Sequence, residues 1–261
     1  MVMPEGDTVW RTAHRLHDAL AGQELLCTDF RVPAFATVDL SGEVVDEVVS
    51  RGKHLLIRTG QHSIHSHLKM EGAWHLYRHG TDWRRPGHSA RAVLENAQWQ
   101  AVGYSLGILE VLDLDDEESA VGHLGPDLLG PDWDLDEAVR RTSADQQRPV
   151  FLALLDQRNL AGFGNEYVNE LLFIQGLRPT RPVGEVADLR RVISRGQRML
   201  DVNKSRIDRS FTGSARTGEE RWVYGRERSR CRRCGTRIQT GQLGDRPTAE
   251  RNTFWCPHCQ T

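Results

Sequence analysis

Two cysteine pairs near the C-terminus, Cys231-Arg232-Arg233-Cys234 and Cys256-Pro257-His258-Cys259, constrain the fold of this chain more than any other feature. Four thiolates suit tetrahedral zinc, and two-residue spacing lets one tight turn supply two ligands. The gap of 21 residues (235–255) slightly exceeds the common range of about 15–20 but still fits a two-stranded ribbon, with strands expected at 237–240 and 253–255. Four cysteines leave no open position for water, so the ion is structural rather than catalytic. His258 is either a substitute ligand or an exposed neighbour, and Cys27 stands apart. A unit this small buries little on its own, so metal binding supplies its folding energy.

Charge is distributed unevenly around this unit. Residues 203–261 carry 13 Lys+Arg against 6 Asp+Glu, a net of +7, whereas the rest carries 21 against 30, a net of −9. A basic block on an acidic body suits a localised anionic partner, although charge alone also fits a solvated face. Arg228, Arg230, Arg232, Arg233 and Arg251 would sit on a rigid platform, an arrangement suited to phosphate. Only three of the 34 basic residues are lysines: Lys53, Lys69 and Lys204.

With 261 residues the chain can form two compact domains, or three if one is held by metal. Val9, Ala13, Leu16 and Leu20 fall on one face of a helix expected over 7–22, capped by Asp7 or Thr8 and closed by Gly22. Short β-branched and apolar segments follow at 25–31, 43–50, 53–59, 62–68, 72–77, 90–95, 98–102 and 108–113. Their close spacing favours antiparallel pairing in a β-sandwich or flattened barrel. Residues 113–118 form an acidic run read as a solvated loop. Gly125-Pro126-Asp127 punctuates the chain, and helical patterns follow at 135–141, 150–157, 166–175 and 189–203. The expected organisation is α+β and multidomain: 1–124 a β-sandwich with a leading helix, 125–220 helical, 221–261 a zinc ribbon. No apolar run approaches the ~20 residues that cross a bilayer. No secretory signal is evident, so a soluble cytoplasmic protein is expected.

Pro4-Glu5-Gly6-Asp7-Thr8, taken alone, is an ordinary helix opening. Three further segments change its meaning: Arg51-Gly52-Lys53-His54-Leu55-Leu56, the stretch from Leu155-Asp156-Gln157 through Gly162-Phe163-Gly164-Asn165-Glu166-Tyr167, and Arg251-Asn252-Thr253-Phe254-Trp255-Cys256. In this order, with the cysteine pairs, they resemble the formamidopyrimidine-DNA glycosylase and endonuclease VIII family. The opening Pro-Glu-Gly is similar to its endonuclease VIII branch. The resemblance spans nearly the whole chain. It implies an N-terminal β-sandwich, a helix–two-turns–helix domain and a zinc finger, with damaged DNA held between the lobes of a monomer that acts at the bacterial nucleoid.

The matching residues carry a consistent chemistry. A free α-amine has a pKa near ~8, so a useful fraction is neutral at physiological pH. By resemblance, Pro4 is the nucleophile that attacks deoxyribose, expels the base and forms an iminium, from which successive eliminations break the strand. Glu5 would protonate the sugar ring oxygen and shuttle protons. Lys53 would contact phosphate and assist elimination, Arg251 would grip the phosphates flanking the lesion, and Asn165 would hold another. Gly162 and Gly164 would let backbone amides approach an anion. Met70, in His67-Leu68-Lys69-Met70-Glu71-Gly72, is either the wedge that fills the gap left by the extruded nucleotide or a core methionine. His123 lies where the family contacts DNA.

Departures from the family pattern bear on substrate and processing. Asp7 and Thr8 stand where proline and glutamate are common. Ser105-Leu106-Gly107 replaces the Arg-Phe-Gly signature of the oxidised-purine branch, which favours oxidised pyrimidines. Met1-Val2 precede Met3, and an internal proline nitrogen is a non-nucleophilic amide, so translation is expected to start at Met3, whose removal exposes Pro4. Three other readings remain open: a catalytically inactive binder of damaged DNA, a metallohydrolase built on His62, His65 and His67, and a transcriptional zinc ribbon that leaves the first 220 residues unexplained.

Overall fold

The computed structural model describes residues 3–214 and 216–261, so Met1 and Val2, on which the expected start site turns, lie outside the described residues. The chain divides into two compact units, one ending at His123 and one spanning Leu124–Thr261.

The first unit opens with α1 (Gly6–Leu20), one residue earlier than the sequence pattern implied. Val9, Ala13, Leu16 and Leu20, spaced to share one face, are each at most 1% exposed. Neither Asp7 nor Thr8 is the cap: Glu5 holds that position, and its carbonyl accepts the Thr8 and Val9 amides at 3.0 and 3.1 Å. Gly22, at φ 72°, turns the chain out of the helix.

Eight strands follow, all paired antiparallel, in two four-stranded sheets. One holds β1 (Cys27–Phe30), β6 (Ala90–Glu95), β7 (Trp99–Tyr104) and β5 (Ala73–Arg78), in that order; the other holds β2 (Val45–Arg51), β3 (His54–Thr59), β4 (His62–His67) and β8 (Ile108–Asp113). The β-sandwich is therefore the architecture. Its core gathers the apolar face of α1 with Phe30, Val48, Leu55, Ile57, Ile64 and Leu94 among others.

The acidic run is solvated at Asp113, Asp115, Asp116 and Glu118, as expected, but it is not a loop throughout and Glu117 is the exception. It ends in a short helix, α2 (Glu117–Val121), and Glu117 is only 9% exposed. Arg58 donates to both Glu117 carboxylate oxygens and to Glu47, and Ser63 donates to Glu117 at 2.7 Å. Burial alone would raise the Glu117 pKa; the bonds from Arg58 and Ser63 outweigh it and hold the carboxyl below its ordinary value.

The second unit contains α3 (Leu135–Thr142), α4 (Val150–Leu155), α5 (Asn165–Gln175), α6 (Leu189–Lys204) and a hairpin of β9 (Gln239–Leu243) and β10 (Arg251–Trp255). The helices share one core around Phe151, Leu154, Phe163, Tyr167 and Ile193. A second, smaller cluster joins Phe173 of α5 to Val223, Ile238, Phe254, Cys231 and Cys256. The ribbon thus adds its few apolar side chains to those of α5. Among the described residues, no helix is long and apolar enough to cross a membrane.

Candidate nucleic-acid interface and metal centre

In the first unit Pro4 is half-buried immediately before α1, and the Glu5 side chain is 1% exposed. Asp7, equally buried, accepts the Thr8 amide at 2.7 Å, so the departure from the family pattern here is accommodated inside the helix opening. Lys53 lies in the two-residue turn Gly52-Lys53 that joins β2 to β3, where Arg51 pairs with His54. Gly52 has φ 59°, the left-handed value that such a turn requires.

Met70 is not a core residue. It is 55% exposed, at the tip of a tight turn that closes where the Gly72 amide donates to Leu68 O at 2.9 Å. A Cβ on residue 72 would meet that oxygen at 2.4 Å, so only glycine fits. Lys69 adopts φ 53°, an unfavourable value for a side-chain-bearing residue, and its stem packs against Gly107. In the Ser105-Leu106-Gly107 stretch, Ser105 takes φ 46° and Leu106 is 9% exposed.

Imidazoles collect beside this turn. His54 Nδ1 lies 2.8 Å from His65 Nε2, and the His54 ring centroid lies 4.9 Å from that of His67 and 6.2 Å from that of His123. Burial, then the charges of Lys69 and Lys53, pull His67 down to about 4. His62 is elsewhere, paired with Glu43 at 2.7 Å. Among the described residues the only grouping of three or more potential ligands able to hold a metal is the four cysteines, so the histidine metallohydrolase reading is set aside.

In the second unit Asn165 opens α5 and is 8% exposed; its Oδ1 accepts from Asn169 Nδ2 at 3.1 Å. Gly162 has φ 116°, but its amide donates to Gln157 Oε1 at 3.1 Å, so that N–H serves the loop and not an anion. Arg251 is exposed at the start of β10, facing Leu243 across the hairpin. Arg228 and Arg230 are exposed as expected. Arg232 donates to the carbonyls of Arg221 and Gly218, and Arg233 stacks 4.6 Å over Phe173, so both also serve the fold.

Sequence reasoning missed the polar face of α5. Glu166 accepts from Arg209 and Arg221 at 2.7 and 2.6 Å. Asn169 accepts the Phe254 amide at 2.7 Å and donates to Asn252 O at 3.3 Å. Glu170 accepts the amides of Trp222, Val223 and Tyr224 at 2.8–2.9 Å. The signal was present: polar residues at 165, 166, 169 and 170 interrupt an apolar helix at helical spacing.

The four cysteine sulfurs lie within 4.8 Å of one another, with Cys234–Cys256 at 3.4 Å and Cys231–Cys259 at 4.0 Å. Tetrahedral zinc–thiolate bonds of about 2.3 Å would set the sulfurs about 3.8 Å apart, so the donor set and spacing fit zinc. His258 is exposed outside the cluster. The hairpin begins two residues later than the first expected strand, and Gly235, at φ 79°, turns the first knuckle.

Comparison with known proteins agrees with this arrangement. The family model for the formamidopyrimidine-DNA glycosylase N-terminal domain matches residues 3–105, and that for the formamidopyrimidine-DNA glycosylase H2TH domain matches residues 124–200. The chain is 56% identical over 259 residues to the DNA-(apurinic or apyrimidinic site) lyase Nei2 of Mycolicibacterium smegmatis, covering 99% of each chain. It is 54% identical to Endonuclease 8 2 of Mycobacterium tuberculosis, covering 99% of this chain and all of that one. In fold it matches the Lactococcus lactis Fpg in a complex with abasic-site DNA, with TM-score 0.81 at 21% identity, over 99% of this chain and 100% of that one.

Proposed function

Because the chain belongs to the formamidopyrimidine-DNA glycosylase family, we propose that it removes oxidised bases, pyrimidines above all, from DNA through a covalent intermediate on Pro4. As a member of this family it is a DNA glycosylase and apurinic/apyrimidinic lyase, an enzyme of DNA repair. The observation that carries the residue assignment is the Pro4-Glu5 pair set at the N-terminus of α1, a helix with one buried face, with Glu5 itself 1% exposed.

The steps follow from the side chains. The neutral Pro4 nitrogen attacks C1′ of the damaged nucleotide while Glu5 protonates the ring oxygen. The C1′–N bond breaks, the base leaving with the bonding pair and taking the proton lost by the Pro4 nitrogen, and the nitrogen lone pair then breaks the C1′–O4′ bond, the protonated ring oxygen leaving as a hydroxyl as the ring opens. The resulting iminium acidifies C2′. Loss of a C2′ proton expels the 3′ phosphate, and a second elimination, assisted by Lys53 and Arg251, expels the 5′ phosphate. Hydrolysis of the iminium returns the amine. Met70, exposed on its turn, occupies the gap left by the extruded nucleotide. Asn165, His123 and the basic ribbon hold backbone phosphates. Cys231, Cys234, Cys256 and Cys259 would hold zinc, which would supply no chemistry to these steps and would fix the ribbon that carries Arg251.

Pro4 can act only with a free nitrogen, so the working enzyme lacks residues 1–3. Borohydride reduction during reaction with abasic-site DNA, followed by intact-mass and peptide mapping of protein from its native source, tests this. The expected product is a reduced adduct on a peptide that begins at Pro4. A mature chain that begins at Met1 or Val2 and binds damaged DNA without trapping would instead establish an inactive binder.

A further inference from the structure

A line of three side chains runs behind Lys53 and takes no part in the steps above. Glu110 on β8 faces His65 on β4 directly across the sheet, and His54 on β3 lies two residues along from the partner of His65. His65 Nδ1 is 2.8 Å from Glu110 Oε2, and His65 Nε2 is 2.8 Å from His54 Nδ1. His65 is 2% exposed, so these two partners replace water at both of its nitrogens. The far end of the line meets His67 and His123 at ring distances of 4.9 and 6.2 Å, with Lys53 and Lys69 beside them.

The hydrogen-bond directions leave two states. Glu110 Oε2 accepts from His65 Nδ1 in both. Without an added proton, His54 Nδ1–H donates to His65 Nε2, and His54 Nε2 keeps its lone pair. With one added, the proton enters at His54 Nε2, the Nδ1 proton moves to His65 Nε2, and His65 donates back to His54. The second state presents an N–H at the end of the line in place of a lone pair.

We propose that Glu110, His65 and His54 form a proton relay that takes up one proton when a DNA phosphate binds at Lys53, Lys69 and His67, converting His54 into a hydrogen-bond donor to that phosphate. The inference rests on the DNA-binding reading above. In the free protein every group facing His54 opposes its charging: burial, then His67, His65, His123 and Lys69 hold it at about 3. The negative charges behind it are Glu110, which is exposed enough to be solvated, and Glu117, which faces His65. A phosphodiester adds a negative charge at the open end and reverses that balance. All three are positioning or binding residues for the substrate; none touches the reacting carbon.

The test is calorimetric titration of the full zinc-loaded chain with duplex DNA bearing a tetrahydrofuran abasic analogue, in buffers of different ionisation enthalpy, at pH 6 and pH 8. The wild type should take up close to one proton at pH 6, and affinity should rise about tenfold per unit fall in pH where uptake is complete. His54→Gln and Glu110→Gln should cut the uptake by half or more. Histidine 1H–15N spectra of the wild type need no variant: His54 and His65 should change from two neutral rings to a pair sharing an extra proton on DNA binding. Binding without proton uptake overturns the relay and leaves the enzyme assignment intact. Uptake that persists in His54→Gln assigns the proton to His67 or His123 and also overturns it. Failure to bind the DNA at all removes the relay together with the function on which it rests.

Discussion

Replacing Asn169 with alanine should loosen the tie between α5 and the ribbon by an amount the structure lets one work out. Asn169 is 0% exposed, and its Oδ1 is the partner of the Phe254 amide on the side of β10 away from β9. Its Nδ2 donates to Asn165 O, Asn165 Oδ1 and Asn252 O. Alanine leaves the buried Phe254 N–H without an acceptor, at a cost of about 1–3 kcal/mol. Lost packing brings the total to about 2–4 kcal/mol. For a unit of this size each kcal/mol lowers Tm by roughly 3–4 °C, so Asn169→Ala should melt about 6–16 °C below the wild type by calorimetry of the zinc-loaded protein. Hydrogen exchange at Phe254 gives a local check, since that amide should pass from protected to among the faster of its strand. Asn165→Ala is the contrast: it should weaken DNA binding while shifting Tm by less than about 3 °C, because its side chain makes one 3.1 Å bond to Asn169. An Asn169→Ala protein that melts within 2 °C of wild type, with Phe254 still protected, would refute the reasoning.

Met70→Ala should leave Tm within about 2 °C of wild type, since the side chain is 55% exposed, while weakening binding to abasic-site duplex by roughly tenfold; a drop in stability of core size would return Met70 to a packing role. Acidification should destabilise the protein. Folding lowers His54 to about 3 and His67 to about 4 from 6.5, so below pH 6.5 the unfolded chain binds more protons. Stability is then lost as pH falls from about 6.5 toward 4, by up to about 2.7 kcal/mol per pH unit for the two groups, and the double His→Gln variant should show a shallower denaturant-midpoint slope. A strong chelator should expose the cluster thiols: of five cysteines only Cys27 should react with a thiol reagent before treatment and all five after it, whereas equal counts would exclude a bound metal.

Local patterns told the fold reliably where one segment contains all the information. The four apolar positions of α1 and the eight strands belong to this class, as do the two knuckles, because two-residue spacing already brings two sulfurs together. Met70 could not be assigned from its neighbours, since a methionine after a strand suits a core as well as a surface. Its exposure follows from the turn, where Gly72 is obligatory and Lys69 accepts a positive φ. Glu117, the one buried acid of the acidic run, escaped the sequence reading for a related reason. Nothing near Glu117 in sequence announces that Arg58, 59 residues away, will neutralise it. Glu110 and His65, 45 residues apart, are the same case. A charged residue shows its solvation preference in the sequence, but its partner is a product of topology.

The polar face of α5 raises the question of why a buried helix surface carries charge at all. Glu166 is 1% exposed and its partner Arg209 7%, and taking such a pair out of water costs several kcal/mol that the attraction only roughly offsets. An apolar pair of similar volume should therefore hold the unit together equally well. What it would lack is direction: Glu166 ties two separate points, Arg209 and Arg221, of the segment leading from α6 to the ribbon, and does so with fixed bond geometry. Stability and orientation thus separate in one experiment. Glu166→Leu alone strands a buried guanidinium and should lose about 3–5 kcal/mol; adding Arg209→Met should recover most of it, since Arg221 is one-third exposed and can turn to water. If the pair exists for orientation, the double variant should melt near the wild type and still cut abasic-site DNA more slowly. A double variant no more stable than the single would mean that the ion pair itself holds the unit, and a stable double variant with full lyase activity would mean that orientation of the ribbon does not depend on it.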